Sequence, residues 1–132
     1  TAALAGVSLA TVFPSGNSLA DQLKIVARLI AARNTLGSRR QVFLVSLGGF
    51  DLHDNLIAQQ PGLLSGVSAA MTAFYNATLE MGLADKVTSF TTSDFGRTLS
   101  SNGDGSDHGW GGHESGIASG SDPRSRVGAA GA

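Results

Sequence analysis

The sequence predicts an α/β fold, a parallel sheet with flanking helices, from the order of two helical patterns and two β-rich runs. The periods alternate helix, strand, helix, strand along the first two thirds of the chain. A helix-length segment between two strands is the usual right-handed crossover, which places the strands parallel.

The first helical pattern runs from Ser18 to Arg33, with Leu19, Leu23, Val26 and Ile30 on one face. Ser18 and Asp21 form an acidic variant of a capping box, and Gly37 is the natural stop. The run Gln41 to Leu47 is apolar and β-branched-rich, as a strand buried on both faces would be, and it empties into GGFDLH. Val67, Met71, Phe74, Thr78 and Met81 repeat the helical spacing before Gly82. Lys86 to Thr92 then reads as a second strand.

Ligands in such sheets bind beyond the carboxyl ends of the strands, so the chemistry is expected in GGFDLHD and SDFGRT. From Ser100 the chain is rich in Gly, Ser and Asp without an apolar face. The organisation read from this is one metal-site domain over residues 1–114 and a flexible tail over 115–132.

Bulk composition narrows the function classes. The 132 residues, 42% apolar and 14% charged, suit one core, and a net charge of −1 without a basic run argues against a nucleic-acid partner. Cysteine is absent, which removes thiolate metal sites and thiol nucleophiles. The Ala-rich stretch from Thr1 to Val12 lacks a basic leader region, and no apolar run reaches the roughly 20 residues of a membrane span.

All three histidines fall in the polar, Gly-flanked loops: His53 in GGFDLHD, and His108 and His113 in SDHGWGGH. Asp51 and His53 are two apart, so in extended backbone both project to the same side and can reach one cation. The adjacent Asp107 and His108 suit a turning loop. Mixed carboxylates and imidazoles accept borderline cations, zinc first, with manganese or calcium as alternatives.

Other readings use the same residues differently. Ser106-Asp107-His108 contains the residue types of a nucleophilic triad, with Ser46, Ser93 or Ser106 as the attacking hydroxyl of a small serine carboxylesterase for short acyl esters. The G-x-S-x-G elbow is absent, and triads assemble from distant segments. Gly103 to Gly112 has no Lys where a phosphate-binding P-loop needs one. Trp110 is expected to plug an apolar gap, Phe50 and Phe95 to anchor the loops, and Arg39-Arg40 to form a solvated turn.

The strings VSLGGFDLHDN and KVTSFTTSDFGRTLSSNGDGSDHGWGGH, separated by a helix, resemble the bacterial domain of unknown function 1501 family, whose strings look like GGWDTH, MSEFGRT and TDHGHGG. The resemblance covers Gln41 to His113. It implies membership of the alkaline phosphatase and sulfatase superfamily, with hydrolysis of a phosphate or sulfate ester at a metal site. By motif, Asp51, His53, Asp107 and His108 become ligands, with His113 as a further imidazole. Arg97 is then expected to orient an oxyanion, with Asp94 supporting the site or pairing with Arg97.

The superfamily's earlier metal-binding Asp and Ser or Thr nucleophile have no counterpart before Ser18, which implies a partial, alkaline-phosphatase-like domain. The partner expected is therefore a small-molecule ester. An incomplete sheet also predicts a homo-oligomer, or a non-catalytic metal-stabilised piece that self-associates. Exported relatives suggest a periplasmic or secreted location.

Overall fold

A computed structural model describes residues 2–112 and 114–118. The elements are helices α1 (Ala2–Ala5), α2 (Ser18–Ala31), α3 (Arg33–Leu36) and α4 (Leu56–Glu80), and strands β1 (Thr88–Phe90), β2 (Gly96–Arg97), β3 (His108–Gly109) and β4 (Gly116–Ala118). The chain divides into two compact units, one of residues 1–48 and 65–84, the other of 49–64 and 85–132.

The first unit is helical. In α2 the expected stripe of Leu19, Leu23, Val26 and Ile30 is buried, together with Ala20 and Ala27. The cap lies one residue earlier than the sequence suggested: Asn17 Oδ1 accepts from Ala20 N at 3.0 Å, and its Nδ2 donates to Gly66 O at 2.8 Å. The same amide thereby starts α2 and fixes it against α4. The helical path breaks at Ala32, and α3 ends at Gly37, whose φ of 69° allows the left-handed cap.

Helix α4 is longer than its apolar spacing indicated, beginning at Leu56 and containing Pro61 near its start. Phe74 and Thr78 of the expected stripe are buried, flanked by Ala70, Ala73 and Ala77, while Val67, Met71 and Met81 are half-buried. Small residues on this face let the helix approach its neighbours closely. At its end Glu80 accepts from Ala10 N and Thr11 N at 2.6 and 2.8 Å, pinning the N-terminal segment.

The second unit corrects the parallel-sheet expectation. Among the described residues there are only two two-stranded sheets, both antiparallel: β1 with β4, and β2 with β3. Strand β1 lies within the expected run Lys86 to Thr92, but its partner is Gly116–Ala118, from the segment read as the start of a tail. The register is Thr88↔Ala118, Ser89↔Ile117 and Phe90↔Gly116.

The other expected strand, Gln41 to Leu47, has no strand partner among the described residues, and Val42 and Leu44 are 98% and 90% exposed. Its composition reports a capacity for burial that no neighbouring strand here fulfils. A parallel α/β sheet is thus absent from the described residues, because hydrogen-bonding partners rather than apolar composition determine which segments form a sheet. No helix of the described residues is long and apolar enough to cross a membrane.

Candidate metal centre

The site is built entirely within the second unit. Strand β2 pairs with β3 through Gly96↔Gly109 and Arg97↔His108, so the SDFGRT and SDHG motifs are joined by main-chain pairing. Gly111 extends the bridge, with Arg97 N donating to Gly111 O at 2.6 Å and Gly111 N to Arg97 O at 3.0 Å. An added Cβ on Gly109 would stand 2.7 Å from Thr98 N, so only glycine allows this approach.

The SNGDGSD loop packs against the start of α4. Asp104 accepts from the first amides there, Asn55 N at 3.0 Å through its carboxylate and Leu56 N at 3.3 Å through its carbonyl. A carboxylate beside unpaired amides at a helix N-terminus is electrostatically favourable. Asn102 Oδ1 accepts from Gly105 N at 2.8 Å, closing the turn, while its Nδ2 donates to Asp107 Oδ1 at 2.9 Å and to His53 O at 3.2 Å.

Three of the expected ligands converge. Asp51, His53 and His108 each offer a donor atom, all within 4.8 Å of one another. Asp51 Oδ1 is 3.1 Å from His53 Nε2 and 2.7 Å from His108 Nε2. Asp107 is placed differently: its Oδ1 lies 3.1 Å from Nδ1 of His53, on the opposite ring nitrogen from Asp51. It orients the imidazole rather than joining the convergent set. His113 lies outside the described residues.

His53 faces Asp107 through Nδ1 and Asp51 through Nε2, and an ionised carboxylate only accepts, so both contacts favour the protonated ring. Its pKa is raised, chiefly by the Asp107 hydrogen bond and further by Asp51. The hydrogen bond from His108 holds the Asp51 carboxyl below its ordinary value, and His53 followed by Asn102 does the same for Asp107. These side chains are open to solvent, His53 and His108 at 46% exposure.

Phe95 and Arg97 set the geometry around the donors. The Phe95 ring stacks on His108 with centroids 4.2 Å apart, and the Arg97 guanidinium lies 5.3 Å from the Phe95 centroid. Arg97 also donates to Phe50 O at 2.7 Å and to Ser106 O, the carbonyls that immediately precede Asp51 and Asp107. It ties together the two loops that carry the ligands. Asp94 is exposed and forms no ion pair with Arg97.

No candidate serine hydroxyl is hydrogen-bonded to a histidine among the described residues. Ser106 Oγ donates to Thr98 O at 2.7 Å and Ser93 Oγ to Phe95 O at 2.7 Å, while Ser46 engages Gln22 through its main chain. Trp110, expected as a plug, is 79% exposed.

Sequence reasoning missed Asn102, Asp104 and the stacking role of Phe95. The Asn-Gly-Asp-Gly string is the signal for the first two, since Asn and Asp bond local amides in such turns. Their contacts with His53, Asp107 and α4 are long-range and have no local signature.

No curated protein and no solved structure matches the chain. Residues 10–115, well over half of it, match the family described as Protein of unknown function (DUF1501). The span contains the three loops that build the candidate centre, and the chain belongs to the DUF1501 family.

Proposed function

We propose that the chain is a metal-dependent hydrolase of phosphate or sulfate esters, related to the alkaline phosphatases and sulfatases. The observation that carries this reading is the convergence of Asp51 Oδ1, His53 Nε2 and His108 Nε2. One carboxylate and two imidazoles form a donor set that zinc accepts, with manganese or calcium as alternatives. In a tetrahedral site with bonds of about 2.0–2.2 Å, neighbouring donor atoms lie roughly 3.3–3.6 Å apart, so the 3.1 and 2.7 Å separations of Asp51 Oδ1 from the two Nε2 atoms would open around an ion.

Both Nε2 atoms face Asp51 Oδ1, the place a cation would take, and any hydrogen carried there would have to leave on cation binding. Asp107 keeps the Nδ1 hydrogen of His53, which leaves Nε2 as a ligand lone pair, and Asn102 holds Asp107 in place. Phe95 stacking orients His108 in the same way. A divalent ion held there would supply Lewis acidity to a phosphoryl or sulfuryl oxygen and acidify water.

The engagement of Ser106 Oγ with Thr98 O argues against that hydroxyl as the nucleophile. Arg97, with its guanidinium on two loop carbonyls, serves to position the ligands. The open setting of the donors suits access by a small ester.

The test is elemental analysis of the purified chain together with an ester panel run before and after chelation. The reading expects stoichiometric zinc or manganese and chelator-sensitive release of phosphate or sulfate, both lost in the Asp51→Ala, His108→Ala double variant. Chelator-resistant cleavage of acyl esters without metal would overturn it in favour of the esterase.

A further inference from the structure

Asn102 and Gly103 form the one Asn-Gly pair of the chain, since Asn17, Asn34, Asn55 and Asn76 precede Ser18, Thr35, Leu56 and Ala77. Asparagine is a chemically labile side chain, because the main-chain nitrogen of the next residue can attack its amide carbon. Here that nitrogen is unhindered. Gly103 has a φ of 111°, which favours glycine, and nothing beyond its immediate neighbours lies within 4 Å of where a Cβ would stand.

The Asn102 side chain folds back past this nitrogen. Its Oδ1 accepts from Asp104 N at 3.3 Å and Gly105 N at 2.8 Å, the two amides beyond Gly103. Both donors face the oxygen on which negative charge builds when the amide carbon is attacked, as an oxyanion hole does. Ser101 Oγ accepts the hydrogen of Gly103 N at 3.0 Å, on the path by which that proton leaves. On the other side of the amide, Nδ2 donates to Asp107 Oδ1 at 2.9 Å and His53 O at 3.2 Å.

We propose that Asn102 is a self-modifying site, whose conversion to aspartate or isoaspartate releases the hold on Asp107. Gly103 N bonds to Asn102 Cγ as the Cγ–Nδ2 bond breaks, and Nδ2 leaves as ammonia, taking the proton that Gly103 N gives up. Water then opens the cyclic imide at one carbonyl or the other. The net change is amide plus water to acid plus ammonia, with no oxidation or reduction.

The product places an ionised carboxylate where Nδ2 stood. It can only accept, yet it faces Asp107 Oδ1 and His53 O, which also only accept. Two carboxylates at that separation repel, so Asp107 loses its support and with it the fixed contact to His53 Nδ1. Isoaspartate also adds a carbon to the main chain and undoes the turn that Asn102 closes. On the metal-centre reading, the same step lowers zinc affinity by about 10–100-fold, as loss of a supporting carboxylate does.

The experiment incubates the full metal-free chain in mildly alkaline buffer, folded and unfolded in urea, and maps the peptides by mass spectrometry. In the folded chain the mass gain of amide-to-acid conversion should appear at Asn102 alone, with isoaspartate among the products, and Asn102→Gln, which must close a larger ring, should stay unmodified. The aged chain and Asn102→Asp should both show displaced His53 ring signals in proton NMR. Both readouts are taken without metal, so they decide the proposal whether or not zinc binds. An intact Asn102 in the folded chain over the period in which the unfolded chain converts, or native His53 signals in the converted chain, would overturn it.

Discussion

His53 and Asp107 are joined through Nδ1, at 3.1 Å, so that the other ring nitrogen faces Asp51 and His108. Residues 54 positions apart thus fix which lone pair a cation would meet. Imidazole ligands are commonly held this way, and loss of such a supporting carboxylate typically lowers metal affinity by about 10–100-fold. Asp107→Asn is expected to weaken zinc binding by about that factor, without abolishing it. Competition against a fluorescent chelator checks this; an unchanged affinity would show that Asp107 does not orient the ring.

The same contact governs proton uptake in the metal-free chain. His53 titrates above its ordinary 6.5, so the stability it contributes is complete below that pH and is lost as pH rises through the raised value. Asp51 and Asp107 behave oppositely: their lowered values give a contribution present above the ordinary 3.8 and lost as pH falls through the lowered ones. The network is therefore most stabilising in mildly acidic solution. Proton NMR should place the His53 midpoint above 6.5 and shift it downward in Asp107→Asn.

Arg97 is expected to matter for folding as well as for the metal. Arg97→Met removes the donors to Phe50 O and Ser106 O and the contact with Phe95. Hydrogen bonds from a charged group contribute about 1.5–3 kcal/mol, so a lower Tm and weaker zinc binding should appear together. Arg97→Lys should restore little of either, since an ammonium lacks the planar fork that reaches two carbonyls. Full activity and metal affinity in Arg97→Met would remove the clamp role.

Glycine positions offer a paired test of close approach. A Cβ at Gly105 would meet His53 O at 2.6 Å and Leu56 Cβ at 3.2 Å, so Gly105→Ala should push the loop from the histidine and impair zinc binding. Gly62, inside α4, has open space around the added methyl, and Gly62→Ala should stabilise the chain by about 0.5–1 kcal/mol. Thermal melts and zinc titrations of both variants distinguish the two outcomes.

The helical stripe of α2 was legible because its period is a local property, whereas the expectation that Asp51, His53 and His108 share one site came from the family resemblance. Strand pairing was not. Gln41 to Leu47 has strand composition but no strand neighbour among the described residues, while Gly116–Ala118, three residues in a Gly- and Ser-rich run, becomes the partner of β1 through main-chain bonds that composition does not encode. Asp107 and His108 are adjacent in sequence yet contact different groups, His53 and Asp51, because successive side chains entering β3 project in opposite directions.

The decisive measurement is a zinc titration of the metal-free chain by calorimetry, repeated on Asp51→Ala and His108→Ala. Binding by Asp51, His53 and His108 requires one saturable site in the native chain, proton release that varies with buffer, and loss of that site in each variant. Equal binding by the native chain and both variants, or no binding by any, would contradict a metal centre at these residues.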